Sequence, residues 1–206
     1  MKRILVVAAT ESEADALKRI PEIQPSPDGF YLGSCELSLL VTGMGSASTS
    51  WAMKKWLSAN QKPDLAINIG IAGSFREDIR IGDVVVSVSD FFADKVDEDR
   101  IGKIYADANL VTELAGRLKP VSAITVTFAT GTEPEIERLL NKYNPDIETM
   151  EGATFFYICS REKIPFLALR SISNRVEPRN NKNWDIPLAL DNLSEKLKEI
   201  ILLLIE

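Results

Sequence analysis

Histidine is absent from the 206 residues of this chain. Mechanisms that need an imidazole, such as Ser-His-Asp and Cys-His hydrolysis, are therefore excluded, and so is a histidine-ligated catalytic metal. Acid–base chemistry must come from carboxylates, Lys, Tyr, Cys or ordered water. We expect no metal and no cofactor.

Cysteine and long apolar runs are also scarce. Cys35 and Cys159 are the only cysteines and have no CxxC spacing, so we expect two buried thiols in a reducing compartment rather than a disulfide framework or a zinc site. The apolar run from Ile4 to Ala9 is too short for a signal segment or a membrane span. These features predict a cytoplasmic protein without a membrane partner.

The charge balance disfavours one further class of partner. A net charge of -6 and a pI near 4.9 repel a phosphate backbone, so we expect a small molecule rather than nucleic acid. A chain of 206 residues with 45% hydrophobic composition suits one core. We therefore treat residues 1–206 as a single domain.

Short apolar runs alternate with amphipathic segments along the chain. Strands are expected at residues 3–9, 29–34, 36–41, 64–70, 83–89, 121–128 and 166–173. Helices are expected at residues 11–20, 47–59, 109–118, 134–143, 151–161 and 187–204. This alternation predicts an α/β fold of three layers, with helices flanking a central mixed, mostly parallel sheet. The charged segment 94–103 is interpreted as a solvated loop.

Two glycine-containing segments follow predicted strands. Thr42-Gly-Met-Gly-Ser46 leads into a helix, and Gly70-Ile-Ala-Gly73 is interpreted as a turn at the end of the next strand. Such turns either let a backbone approach a ligand or simply punctuate the fold. Because ligands of α/β sheets bind beyond the carboxyl ends of strands, their joint occurrence indicates a site that includes Gly45 and residues 71–73.

Four polar residues are candidates for chemistry at this edge. Glu13 and Glu151 each lie at the start of a helix, where a carboxylate either faces a ligand or only complements the helix dipole. Arg170 lies inside an apolar strand, and a buried guanidinium needs an anionic partner. Asn174 is either a turn former or an amide that reads a base edge.

Five segments carry a resemblance to a known family. They are Glu13, Gly70-Ile-Ala-Gly73, Thr127-Phe-Ala-Thr-Gly131, Met150-Glu-Gly-Ala153 and Arg170-Ser-Ile-Ser-Asn174. In this order and spacing the chain resembles, over essentially its whole length, the purine nucleosidase branch of the nucleoside phosphorylase family. The resemblance implies a small-molecule nucleoside substrate and a homodimer or higher homo-oligomer.

The resemblance also implies roles for individual residues. Glu13 would handle the attacking water, with Arg170 nearby, and Met150 and Glu151 would hold the ribose. Phe128 would stack on the base, and Ala129 would bond the base through its backbone. Gly45, Ile71, Ala72 and Gly73 would complete the substrate-binding wall. Ile71 departs from the Ser that nucleosidases of the family often have there, so water placement would depend on Glu13 and Arg170.

Position 174 indicates the base. Methylthioadenosine nucleosidases usually carry Asp there, whereas an Asn amide can donate to a purine O6 and accept from a protonated N7, which favours hypoxanthine or guanine. A phosphorylase would need a phosphate cradle after the first strand, but that turn here contains Glu11 and Glu13. Water is therefore the expected acceptor.

The C-terminal segments 173–179 and 183–189 resemble the branch of the family that hydrolyses futalosine. That resemblance implies release of hypoxanthine and dehypoxanthine futalosine in menaquinone biosynthesis. It also implies a cation and an apolar wall for a 5′ benzoate, with Arg175, Arg179, Lys182 and Trp184 as candidates. The alternatives are a methylthioadenosine/S-adenosylhomocysteine or aminodeoxyfutalosine nucleosidase, a 6-oxopurine phosphorylase, and a non-catalytic nucleoside-binding protein.

Overall fold

The computed structural model describes residues 1–27, 29–93, 101–178 and 181–205. Its strands are β1 (Lys2–Ala8), β2 (Gln24–Ser26), β3 (Gly29–Leu32), β4 (Cys35–Val41), β5 (Leu65–Ser74), β6 (Val84–Asp90), β7 (Ile104–Tyr105), β8 (Lys119–Thr125), β9 (Ile147–Thr149) and β10 (Phe166–Arg175). Its helices are α1 (Glu11–Lys18), α2 (Ser46–Ala59), α3 (Ala108–Glu113), α4 (Glu133–Tyr143), α5 (Gly152–Glu162) and α6 (Ile186–Ile205). Most of the predicted 94–103 loop lies outside the described residues.

The first strand explains why helices cover both faces of the sheet. Side chains alternate between the two faces of a strand. Ile4 and Val6 point into an apolar cluster with residues of α1 and α6, whereas Leu5 and Val7 point into a second cluster with residues of α2 and α5. Since both faces are apolar, the strand is buried on both sides, as predicted, and the three-layer α/β architecture is confirmed.

The sheet is mixed: among the described residues five strand pairs are parallel and five are antiparallel, and the longest pairs are parallel. β1 pairs in parallel with β4 and β5, and β3 and β4 form the predicted antiparallel hairpin. The other half of the sheet closes on itself, because β5, β10, β6, β8 and β9 pair in a ring that returns to β5. The sequence predicted the mixed sheet but not this closure, which joins strands far apart in the chain.

Two strands continue further than predicted. Gly70-Ile-Ala-Gly73 lies inside β5, so the prediction of a turn there was wrong. Asn174 likewise lies inside β10, beside a bulge between Ile172 and Asn174. Each extension continues the strand beyond the apolar run from which it was predicted, to Ser74 in β5 and to Arg175 in β10.

The helices agree with prediction more closely, with one exception. The helix expected at 109–118 ends at Glu113, and turns follow it to Gly116, whose φ of +81° is a conformation that side-chain-bearing residues rarely adopt. Among the described residues, no helix combines the length and the hydropathy that a membrane crossing requires.

Candidate active site

A cavity of about 370 Å³ opens at the carboxyl ends of β1, β5 and β10. These strands are parallel, so their carboxyl ends meet at one edge of the sheet. Eight of the predicted site residues line the cavity: Glu13, Ile71, Ala72, Gly73, Ala129, Met150, Glu151 and Asn174. The structure therefore brings together segments that are separated by up to 160 residues in the chain.

Glu13 is held in place by donors that follow β1 and by one inside β5. It is the third residue of α1, and its Oε2 accepts hydrogen bonds from Ala9 N (3.2 Å), Thr10 N (3.0 Å) and Thr10 Oγ1 (3.0 Å). Its Oε1 accepts from Ile71 N of β5 at 3.0 Å. The carboxylate thus completes a capping box for α1 and also faces the cavity, so the two interpretations of this residue are not exclusive.

Glycine at position 70 is explained by this carboxylate. A Cβ at residue 70 would lie 2.7 Å from Glu13 Oε1, well inside van der Waals contact. The glycine therefore serves the close approach of a side chain rather than a turn.

Glu151 reaches the cavity from the start of α5. Its Oε1 accepts a hydrogen bond of 2.8 Å from Gly45 N, which lies at the N-terminus of α2. Burial raises the pKa of this carboxyl, the Gly45 N–H and the charge of Arg170 lower it, and the charge of Glu13 raises it again. The positive φ of Gly45 (+88°) aims its N–H at the carboxylate, which explains the glycine in this turn.

Arg170 lies below the cavity rather than in its wall. Only 2% of the residue is exposed, and the guanidinium donates to the Asn68 and Leu169 carbonyls and to the Asn68 side-chain amide oxygen. Burial lowers its pKa, while the charges of Glu151 and Glu13 raise it. The side-chain partner of Arg170 is thus the neutral amide of Asn68 and not the expected anion. The charges of Glu151 and Glu13 act on Arg170 from a longer distance. The positive charge of Arg170 therefore offsets part of the negative charge of Glu13 and Glu151, although Arg170 does not line the cavity.

Asp90, which sequence reasoning did not single out, lies in the same buried layer. Its Oδ1 accepts from Thr125 Oγ1 at 3.0 Å, and Thr125 Oγ1 accepts from Ala153 N at 2.7 Å in the first turn of α5. Burial raises the pKa of Asp90 to about 7, against the opposing charge of Arg170. A Cβ at Gly152 would lie 2.0 Å from Asp90 Oδ2, so this glycine admits the carboxyl.

Asn174 presents its amide to the cavity at the end of β10. Its Oδ1 accepts from Ser173 Oγ at 2.8 Å, and its Nδ2 donates to the Arg175 carbonyl at 3.0 Å. These two bonds orient the amide and use one acceptor site and one N–H. One further acceptor site and one further N–H remain for a ligand.

Comparison with known proteins identifies the family. A family model described as the phosphorylase superfamily matches residues 3–206. The chain belongs to the phosphorylase superfamily.

Individual members of the superfamily match over most of their length. The chain is 32% identical to a futalosine hydrolase of Acidothermus cellulolyticus, covering 92% of this chain and 86% of the relative. It is 24% identical to a 5′-methylthioadenosine/S-adenosylhomocysteine nucleosidase of a Geobacillus species, covering 97% of this chain and 96% of the relative. The resemblance derived from the sequence motifs is thereby confirmed at the level of the family.

Solved structures of the superfamily share the fold. The native structure of Helicobacter pylori futalosine hydrolase superposes with a TM-score of 0.82 at 18% identity and covers 97% of each chain. A Neisseria meningitidis methylthioadenosine/S-adenosylhomocysteine nucleosidase in complex with methylthio-immucillin-A gives a TM-score of 0.84 at 18% identity, covering 98% of this chain and 99% of that one. At this identity the likeness shows the fold alone.

Phe128 is one predicted residue of the superfamily pattern that the structure does not bring into the cavity. Its side chain is 80% exposed and does not line the wall, whereas its neighbour Ala129 does. Phe128 follows the end of β8 at Thr125, and the predicted strand to residue 128 was too long. Stacking of Phe128 on a base therefore stays a prediction, and it would require the side chain to turn toward the cavity.

An apolar wall closes one side of the cavity, and sequence reasoning found only part of it. Trp184 lines the cavity as predicted, and Met44, Ile186 and Leu190 line it as well. None of the described lining residues is a cation, because Arg175 turns away and donates to the Arg76 carbonyl at 3.0 Å. Lys182 is not among the lining residues, and Arg179 lies outside the described residues.

Glu148 is a further lining residue that the sequence analysis left without a role. It belongs to the three-residue strand β9, and only 5% of the residue is exposed. A strand this short has no periodicity to recognise, although the pair Glu148 and Glu151 beside Met150 was visible as a cluster of carboxylates.

Proposed function

We infer that this protein hydrolyses the N-glycosidic bond of a 6-oxopurine nucleoside, with futalosine as the substrate that fits best. The family and the names of the relatives place the chain among N-glycosidases. One observation carries the finer proposal: the buried carboxylate of Glu13, the half-buried carboxylate of Glu151 and the amide of Asn174 share a single cavity.

The two carboxylates suit the charge that develops during the reaction. Cleavage of an N-glycosidic bond passes through a sugar with oxocarbenium character, which preorganised anions stabilise. Glu151 uses one of about four acceptor sites on Gly45 N, which leaves sites for ribose hydroxyls. Arg170 below the site offsets part of the repulsion between Glu151 and Glu13, which favours keeping both carboxylates in one small cavity.

Glu13 suits the role of positioning the attacking water. Three donors occupy Oε2, whereas Oε1 accepts only from Ile71 N among the described residues and keeps a second acceptor site. A water that donates to that acceptor site would lie in the cavity that Glu13 lines. The missing hydroxyl at Ile71 is thus compensated by its backbone N–H, which fixes the carboxylate.

The same contacts favour water over phosphate as the acceptor. The N–H groups of Ala9, Thr10 and Ile71 form a cluster of backbone donors that would suit an oxyanion. In this chain the carboxylate of Glu13 already accepts from all three. A phosphate at this place would lose those donors and meet a negative charge.

The remaining wall of the cavity supports the proposed base and 5′ substituent. The free N–H and acceptor site of Asn174 match the O6 and the protonated N7 of a departing hypoxanthine. The apolar surface of Met44, Trp184, Ile186 and Leu190 suits an aromatic 5′ substituent such as the benzoyl group of futalosine.

The direct test is base release from four nucleosides: futalosine, its 6-amino counterpart aminodeoxyfutalosine, inosine and methylthioadenosine. Each is assayed with and without phosphate. We expect fast, phosphate-independent release of hypoxanthine from futalosine. Preference for the two adenine nucleosides would assign the chain to the nucleosidases represented by the Geobacillus relative, and phosphate-dependent turnover would assign a phosphorylase. Absence of turnover with retained binding would indicate a nucleoside-binding protein.

Two further expectations remain predictions. The homodimer or higher oligomer accords with two large exposed apolar side chains on one segment, Met44 (66%) just before α2 and Trp51 (67%) within it. Light scattering coupled to size-exclusion chromatography measures the oligomeric state. A place in menaquinone biosynthesis would follow from the substrate once futalosine hydrolysis is measured.

A further inference from the structure

The helix that follows Glu151 begins without a cap of its own. Glu151 is the N-cap residue of α5, and its carbonyl accepts a helical hydrogen bond from Phe155 N at 3.0 Å. An N-cap residue usually turns its side chain back onto the free N–H groups of the first turn. The side chain of Glu151 makes no such bond and instead accepts from Gly45 N in the cavity. The first N–H groups of α5 therefore need acceptors from elsewhere in the fold.

Two threonine hydroxyls from neighbouring strands supply these acceptors. Thr125 ends β8 and Thr149 ends β9, and the two residues are register partners in a parallel pair. Thr125 Oγ1 accepts from Ala153 N at 2.7 Å. Thr149 Oγ1 accepts from Gly152 N at 3.2 Å. The two hydroxyls together cap α5 in place of the side chain of its own N-cap residue.

Asp90 orients the hydroxyl of Thr125. Its Oδ1 accepts from Thr125 Oγ1 at 3.0 Å, so the hydroxyl hydrogen points away from α5 and a lone pair is left for Ala153 N. The oxygens of Thr125 and Thr149 lie 3.2 Å apart, and Thr149 is then the donor between them. Thr125 thus donates once and accepts twice, which is the full capacity of a hydroxyl. All three side chains are buried, so a hydroxyl removed here leaves an N–H without an acceptor.

The cap lies next to the backbone that carries the carboxylate of the site. The capped N–H groups belong to the two residues that directly follow Glu151 in the chain. They fix the backbone from which the side chain of Glu151 leaves, while Gly45 N holds its far end. The position of the carboxylate is therefore set at both ends of the side chain.

We propose that Thr125 is a positioning residue: with Thr149 and Asp90, its hydroxyl fixes the start of α5 and thereby the place of the Glu151 carboxylate in the cavity. The inference deepens the proposed function, because it rests on Glu151 acting beside the sugar. Neither Thr125 nor Asp90 is among the residues that line the cavity. Thr125 therefore acts on the reaction through Glu151 and not through contact with the substrate.

The test is the substitution Thr125→Val, which removes the hydroxyl and keeps the size of the side chain. Ala153 N then loses its acceptor and Asp90 loses a donor. Because a misplacement of about 1 Å at a reacting group costs about 100-fold in rate, we expect kcat/KM to fall roughly 10- to 100-fold. The substrate is whichever of the four nucleosides the native protein cleaves best. Thr125→Ser keeps the hydroxyl, and its kcat/KM should stay within about threefold of the native value.

Thr154→Val is the matched control. Thr154 directly follows Ala153 in the first turn of α5, and its Oγ1 is buried without a hydrogen-bond partner among the described residues. The same substitution there removes a hydroxyl but no hydrogen bond, so kcat/KM should stay within about twofold of the native value. Melting temperatures of all three variants establish that they fold.

The amide proton of Gly45 reports the position of the carboxylate directly, because this N–H donates to Glu151 Oε1. A hydrogen bond to a carboxylate moves an amide proton resonance downfield, and a longer bond moves it back upfield. In the NMR spectrum of Thr125→Val we expect the Gly45 resonance to move upfield, toward its position in Glu151→Ala. Thr125→Ser and Thr154→Val should leave it in place. Lower stability alone does not move this resonance, since the folded protein keeps the contact.

A double-mutant cycle with Glu151→Ala completes the test. Thr125→Val should lower the melting temperature in both backgrounds but lower kcat/KM only where Glu151 is present. An unmoved Gly45 resonance in a folded Thr125→Val variant would overturn the inference, and so would an equal loss of kcat/KM in both backgrounds. A moved resonance with native kcat/KM supports the positioning of Glu151 and refutes its part in the reaction, so the two proposals fail separately. If none of the four nucleosides is cleaved, the resonance alone decides.

Discussion

The substitution Gly70→Ala offers a sharp test of how Glu13 is positioned. The added Cβ would lie 2.7 Å from Glu13 Oε1, whereas an ordinary contact needs about 3.4 Å or more, so the carboxylate must move. The backbone φ of Gly70 is not in the positive region, and alanine therefore fits the strand itself. The strain falls on the side chain of Glu13 and breaks its bond to Ile71 N.

The magnitudes follow from those contacts. Loss of one hydrogen bond to a charged group costs about 1.5–3 kcal/mol. Replacing glycine by alanine in a strand recovers about 0.5–1 kcal/mol. The net loss of about 1–2 kcal/mol lowers the melting temperature by roughly 3–6 °C for a chain of this size. Displacement of a reacting group by somewhat less than 1 Å lowers kcat by about 100-fold.

The assay is kcat for base release, with the melting temperature measured on the same preparations. A double-mutant cycle with Glu13→Ala isolates the cause, because Gly70→Ala should have no further effect on kcat once the carboxylate is gone. The reasoning is refuted if Gly70→Ala keeps native kcat, or if it lowers kcat by the same factor in the Glu13→Ala background.

Three further perturbations test other parts of the site. Glu151→Gln keeps the acceptor for Gly45 N but removes the charge, and kcat/KM should fall about 100-fold with the fold retained in circular dichroism; a change below threefold would contradict an electrostatic role. Trp184→Ala removes part of the apolar wall, so KM for futalosine should rise about tenfold while KM for inosine stays constant. Equal changes in the two KM values would contradict a role of Trp184 in binding the 5′ substituent. The buried carboxyl of Asp90 has a pKa raised from 3.8 to about 7, so the native state loses stability as pH rises through that interval. Urea titrations give the free energy of unfolding of the Asp90→Asn variant minus that of the native chain. This difference should increase by up to about 4 kcal/mol between pH 4 and pH 7. A difference that stays constant would contradict a raised pKa at Asp90.

The effects of substituting Glu13 and Glu151 should be separable. Glu13 and Glu151 are held by backbone N–H groups from different elements, Ile71 in β5 and Gly45 before α2. Substitution of one therefore leaves the supports of the other in place. Arg170 couples to both carboxylates through charge, so its substitution should shift pH profiles more than the positions of Glu13 and Glu151.

Local patterns in the sequence predicted much of the molecule. The alternation of apolar runs with amphipathic segments depends on neighbouring residues, and it predicted β1, the hairpin and most helices. Glu13 and Glu151 were recognisable because each lies at the start of a predicted helix. Their supports were not recognisable, since Gly70-Ile-Ala-Gly73 has the composition of a turn. Only the tertiary structure shows that Gly70 admits the carboxylate of Glu13 and that Gly73 lies against the side chains of Val176, Asn174 and Glu148.

By itself, the sequence determined the α/β class, the absence of imidazole chemistry and the set of segments that the site uses, because these depend on composition and on short-range periodicity. Only the tertiary structure decided the closed ring of strands, the amide partner of Arg170 and the alignment of Thr125 with Thr149 at the start of α5. Each of these depends on the register between strands that are distant in the chain. Register is set by long-range packing, and a shift of one residue would turn every side chain of a strand to its other face.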